Sequence, residues 1–143
     1  MSSTTVSLDS NLIVSVLNQE LEFCDRAQAA LNKFRKSGRL VVSGPVYAEL
    51  LGLPSRTQSI LDEFFTVGGI EIDWRFEEAV WRTAGVGYQS YVGRRLDQTG
   101  ELPRRILTDF LIGAQALVRG YTLLTMDGRL YRASFPEIRI ESF

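Results

Sequence analysis

The stretch TDFLIGAQALVRGYTLLTMD, residues 108–127, decides the fold. Its first part is an apolar run opened by Leu107-Thr108-Asp109 and closed by Arg119-Gly120: acid at the start, base and glycine at the end, as a helix requires. Thr122-Leu123-Leu124 then reads as a short buried strand, with Asp127-Gly128 as the turn beyond it. A helix running straight into an apolar strand is the pattern of an α/β protein.

The same alternation extends outward in both directions. Val6-Ser7-Leu8 is a strand that runs into Asp9-Ser10-Asn11, three residue types that favour helix N-caps, and a helix continues through Leu17. A second helix, from about Leu21 to Lys36, carries Leu21, Cys24, Ala27, Leu31 and Phe34 at helical spacing and ends at Ser37-Gly38. Arg39-Leu40-Val41-Val42 is a buried strand, and Ser43-Gly44-Pro45 opens a third helix bearing Val46, Tyr47, Glu49, Leu50 and Leu51. After Gly52-Leu53-Pro54, a fourth helix spans Thr57 to Val67, and Gly68-Gly69 leads to the strand Ile70-Glu71-Ile72 with Asp73 at its end. Arg75 to about Asp97 is a long helical stretch weakened by Gly85, Gly87 and Gly93, with a loop from Gln98 to Pro103. Arg129 to Ala133 is a short helix and Ile138-Arg139-Ile140 a last strand. Short apolar strands between helices predict a parallel sheet covered on both faces. No repeat or linker divides residues 1–143, so one domain is expected.

Composition narrows the chemistry. The 143 residues are 45% hydrophobic and 23% charged with net charge -1, enough for one core in a soluble protein. There is no histidine and one cysteine, Cys24. That excludes Ser-His-Asp and Cys-His catalysis, imidazole or thiolate zinc sites, and intrachain disulfides. The N-terminus lacks the basic start and apolar run of a secretory signal, and no apolar run approaches a membrane span, so a cytoplasmic protein is expected. All the basic residues except Lys33 and Lys36 are arginine, whose planar fork suits phosphate.

Open parallel sheets place their sites beyond the carboxyl ends of the strands. Asp9 and Asp127 follow two strands, Asp109 heads the helix before the second of these, and Glu49 lies one turn into the helix after the Leu40 strand. Each acid has an ordinary local role: Asp9 as an N-cap, Asp109 at the positive end of a helix dipole, Asp127 in a turn, Glu49 on a solvated face. If they converge, however, two carboxylates about 4 Å apart repel by roughly 4 kcal/mol at an effective dielectric near 20. A gathered set must therefore protonate in part or hold a cation, and an all-oxygen set suits Mg²⁺ or Mn²⁺. Leaving those four aside, the rest of the chain is net basic, and Arg94-Arg95 and Arg104-Arg105, which flank the loop before Asp109, are expected to form an arginine rim around the acidic site.

VSLDSN, YAELL, TDFLIGAQA and LLTMD, taken in order, resemble the blocks of PIN domains, and the closing RLYRASFPEIRI resembles the end of VapC-type toxins. The resemblance runs from Val6 to Ile140. It implies a three-layer α/β/α fold with a five-stranded parallel sheet. It further implies a Mg²⁺- or Mn²⁺-dependent endoribonuclease, a homodimer held inactive by a cognate VapB-like antitoxin. The family's four acidic positions fall on Asp9, Glu49, Asp109 and Asp127, its small polar residue after the first acid on Ser10, and its threonine on Thr125. A phenylalanine common three residues after the last acid is Leu130 here. A stand-alone RNA-processing nuclease and a non-catalytic RNA- or protein-binding PIN domain are the alternatives; retention of all four acids argues against the latter. A haloacid-dehalogenase-like phosphatase would need an acid where Asn11 stands.

Trp74, Trp81, Tyr88 and Tyr91 lie in or beside the long helical region, where Gly85 and Gly87 could leave a groove for a partner helix. Cys24 is expected in the core, and Arg35-Lys36 is explained by a helix dipole.

Overall fold

Alternation of strand and helix is what the chain adopts. The computed structural model describes residues 4–18, 22–100 and 107–143. Within them lie β1 (Thr4–Leu8), α1 (Ser10–Leu17), α2 (Cys24–Ser37), β2 (Gly38–Ser43), α3 (Gly44–Leu51) and α4 (Gln58–Gly68). They are followed by β3 (Ile70–Asp73), α5 (Glu78–Thr99), α6 (Thr108–Arg119), β4 (Thr122–Thr125), α7 (Arg129–Ser134) and β5 (Arg139–Ser142). The strands form one sheet in the order β3-β2-β1-β4-β5, and every pairing is parallel. Val6 sits in register with Leu40 on one side and Thr122 on the other. Helices cover both faces, giving three α/β/α layers. The strand side chains Val6, Leu8, Val41, Val42, Leu123 and Leu124 are all buried, as a sheet covered on both faces demands.

Helix packing accounts for the rest of the core. α1 lies against α2, while α5, α6 and α7 pack on one another, and α3 touches both α1 and α6. At the centre of the second group the fully buried Phe110 of α6 is ringed by Tyr88, Tyr91 and Phe135, with centroids 5.2, 5.4 and 6.5 Å away. Tyr88 and Tyr91 are therefore packing residues first.

Several boundaries differ from expectation for identifiable reasons. The long helix starts at Glu78 rather than Arg75, because the Asp73 carboxylate takes the Arg75 N–H (3.1 Å) and turns the chain first. It then runs unbroken past Gly85, Gly87 and Gly93 to Thr99, since packing on α6 outweighs the weak propensity of glycine. The last strand is Arg139–Ser142: it starts one residue after Ile138, whose N–H is tied back to the Phe135 carbonyl (3.0 Å), and ends two residues beyond Ile140. Cys24 is half-buried at the first position of α2 and not a core residue. Arg35 does more than complement a dipole: it donates to the Gly68 carbonyl (2.9 Å) and ties α2 to the end of α4. Leu21, residues 101–103 of the expected loop, and Arg104-Arg105 lie outside the described residues.

Candidate active site

The chain steps outward from β1 through β2 to β3, then crosses back to place β4 on the other side of β1. That reversal leaves a crevice beyond the ends of β1 and β4, the position at which open α/β sheets bind ligands. The two strand ends are joined there by the Asp9 N–H donating to the Leu124 carbonyl (3.1 Å).

Asp9 leaves β1 and caps α1: its Oδ1 accepts from the Ser10 N–H at 2.7 Å. Its other oxygen, Oδ2, accepts two hydroxyl protons. One comes from Thr125, the buried last residue of β4, at 2.8 Å; the other comes from Tyr131 of α7 at 2.9 Å. The Thr125 oxygen in turn accepts from the Asp127 N–H (3.3 Å) and the Asn11 amide (3.4 Å), which leaves its single proton for Asp9. Asp9 is thus 4% exposed and held on both carboxylate oxygens.

Asp109 stands in the first turn of α6, and Asp127 just past β4. Together with Asp9 they line one cavity of about 240 Å³, closed in part by Ser10, Asn11 and Tyr131. Asp127 carries its own counter-charge: Arg129 donates its backbone N–H and Nε to Oδ1 (both 3.1 Å) and Nη2 to Oδ2 (3.2 Å). Glu49 is not part of the cavity wall but feels it. Desolvation, then the charges of Asp109 and Asp9, push its carboxyl above the usual range, partly offset by a hydrogen bond with Ser10. Burial, followed by the surrounding carboxylates, pushes the Tyr131 phenol upward, so it stays a neutral donor across the working range of pH. The local roles of the acids are an N-cap at Asp9, a first-turn position at Asp109, an exposed helix face at Glu49 and, at Asp127, a side chain that accepts from the N–H two residues on; three of the four still share one cavity.

All donors here are oxygens, which suits a hard divalent cation. Among the described residues, no three acids are drawn together tightly enough to form a ready ligand cluster. Two residues of this network, Tyr131 and Asn11, escape a sequence reading of acids and small polar groups. The one available signal for Tyr131 is its place four residues beyond Asp127 in a short helix. Arg94, expected on a basic rim, instead bonds the Ala133 carbonyl (3.3 Å) and the Ser134 hydroxyl (3.1 Å), anchoring α5 to α7.

The family model of the PIN domain matches residues 6–136. The chain belongs to the PIN domain family. No curated protein matches it in sequence. Among solved structures, this PIN domain is similar to VapBC2 from Rickettsia felis bound to a DNA fragment from its promoter, with 23% identity and TM-score 0.67 over 97% of this chain and 98% of that one. It is similar also to VapBC-1 from nontypeable Haemophilus influenzae, at 18% identity and TM-score 0.64 over 97% and 98% of the two chains. A third is DNA-bound VapBC from Salmonella typhimurium, at 19% identity and TM-score 0.57 over the same shares. At these identities the likeness is one of fold. None of the helices described in this PIN domain is long and apolar enough to cross a membrane. On its α5, Trp81 and Val86 are exposed and Gly85 faces open space, but the room at Gly87 is filled by the Phe135 ring, beside which a cavity of about 420 Å³ opens.

Proposed function

We propose that this PIN domain is a Mg²⁺- or Mn²⁺-dependent endoribonuclease, the toxin of a VapBC-type pair in the cytoplasm. The observation that carries the reading is the meeting of Asp9, Asp109 and Asp127, from three separate segments, on one cavity at the reversal point of the sheet. With Glu49 close enough to be shifted by two of them, these four are the residues that would hold the ion. A bound Mg²⁺ or Mn²⁺ supplies a lowered pKa for water and neutralises charge developing on a phosphodiester. The chain's own residues orient the ligands and supply counter-charge. Ser10, Thr125 and Tyr131 fix the Asp9 carboxylate. Glu49, exposed to solvent beside Asp9 and Asp109, completes the set of carboxylates available to the ion. Arg129, exposed beside Asp127, can leave it for a phosphate.

A toxin requires a partner that blocks this cavity, and an arginine pairing with the carboxylates is the simplest blocker. The exposed Trp81 and Val86 on α5 support an apolar antitoxin segment lying along that helix, and a second copy of the chain completes the assembly as a homodimer.

Purified protein is expected to cleave RNA with Mg²⁺ or Mn²⁺ and to stop with EDTA. Asp9→Asn and Asp109→Asn should each lower the rate about a hundredfold or more, on the order of 3 kcal/mol of transition-state stabilisation. Full activity in both variants, or cleavage that survives EDTA dialysis, would falsify the reading. Expression that leaves growth and translation untouched points instead to an RNA-processing nuclease.

A further inference from the structure

Asp9 is held on both carboxylate oxygens, and one of its three near donors has no counterpart among the acids and small polar groups that define the site. The Tyr131 ring is 3% exposed, and its hydroxyl spans from α7 to Asp9 Oδ2 at 2.9 Å. A phenol reaching this far needs an unobstructed path. Gly113 supplies it: a Cβ there would stand 3.0 Å from Tyr131 Cδ1 and 2.6 Å from the Phe135 ring. Gly113 sits one turn beyond Asp109 on α6, so the helix that presents one acid also lets through the ring that holds another.

Two features separate this contact from ordinary packing. The Tyr131 hydroxyl ends on a carboxylate that lines the cavity rather than on backbone or water. Moreover, Oδ2 receives both hydroxyls while Oδ1 receives the Ser10 N–H, so the carboxylate cannot rotate without breaking bonds on both oxygens. Groups that fix a ligating carboxylate in this way set how well the ligand meets its ion.

We propose that Tyr131 is a positioning residue, which holds the Asp9 carboxylate in the orientation that receives the divalent cation and reaches it through the gap left by Gly113. The inference rests on the nuclease reading above and adds to it a residue outside the acidic set.

The test is Tyr131→Phe, which removes one oxygen and keeps the ring. Its control is Tyr121→Phe, because the Tyr121 hydroxyl makes the same bond to a buried carboxylate, Asp73 Oδ2 at 2.7 Å, outside the cavity. For parent and both variants, Mn²⁺ affinity is measured by calorimetry and by melting-temperature shift, and kcat and KM on an RNA substrate are measured alongside. Tyr131→Phe is expected to weaken Mn²⁺ binding about tenfold and to lower kcat by about tenfold or more, with KM for RNA within about twofold. Tyr121→Phe should lower the apo melting temperature and leave Mn²⁺ affinity and kcat as in the parent. If Tyr131→Phe behaves like its control, shifting only the melting temperature, the positioning role is overturned while the nuclease reading stands. A parent that neither binds Mn²⁺ nor cleaves RNA overturns the nuclease reading, and this inference with it.

Discussion

Glu49 shows how a site is strained before its ligand arrives. Desolvation and the charges of Asp109 and Asp9 raise its carboxyl above its ordinary value of 4.5. A raised acid stabilises the fold fully below its unfolded pKa and loses that contribution as pH rises through the folded value. At neutral pH, Glu49 is therefore a charge that the apo protein carries at a cost. Glu49→Gln is expected to raise the apo melting temperature at pH 7.5 by about a degree or two, and to lose that advantage below about pH 4. A lower melting temperature at pH 7.5 would mean that the bond with Ser10 outweighs the repulsion. At this scale the sequence was informative about charge and silent about reach. Asp9, Ser10 and Thr125 can be picked out because short side chains next to strand ends have few places to go. Tyr131 cannot, because a long side chain's end point depends on what its neighbours leave open, here the missing Cβ of Gly113.

Between elements, the passage from α6 into β4 places two of the acids at opposite ends of one unit. Gly120 makes the turn at φ 71°, in the left-handed region, and the following Tyr121 N–H closes on the Ala116 carbonyl at 2.8 Å. A Cβ at Gly120 would meet nothing within 4 Å, so Gly120→Ala tests backbone strain alone. It is expected to destabilise by about 1 kcal/mol in urea melts while leaving the cleavage rate unchanged well below the melting temperature. A larger loss, or a fall in rate, would show that Asp109 and Asp127 depend on this turn for their placement. The turn was evident from Arg119-Gly120 alone, since end signals act over three or four residues. The true start of α5 was not, because it depends on the Asp73 side chain catching the Arg75 N–H.

Across the whole molecule, Asp73 joins the edge strand to the helical layer. Its buried carboxylate takes two hydrogen bonds from the Arg75 guanidinium and one from the Tyr121 hydroxyl, with Arg119 Nε 3.5 Å away, while Gln115 donates to the carbonyls of Asp73 and Arg75. Burial alone would raise this acid, but those bonds and the Arg75 charge outweigh it and hold it at about 2. A depressed carboxylate stabilises above its unfolded value near 3.8, and that contribution is lost as pH falls through the folded one. Asp73→Asn should therefore lower stability by about 2 kcal/mol at pH 7, with the gap to the parent narrowing between pH 4 and pH 2. RNA cleavage at pH 7.5 should not change, since Asp73 lies outside the cavity. A gap independent of pH would show that packing, not charge, makes this junction.

The sequence by itself determined the alternation of strands and helices, the absence of histidine and thiolate chemistry, and four acids at or within a turn or so of the ends of elements. These are properties of composition and of windows of about ten residues, where periodicity and capping act. Tertiary structure alone decided which side chains share a space. It put three acids on one cavity because β4 returns beside β1, turned Arg94 from a rim charge into a strut between α5 and α7, and brought Tyr131 within 2.9 Å of Asp9 across 122 positions of chain. Contacts of that separation arise from how helices pack on the sheet, and no local pattern encodes them.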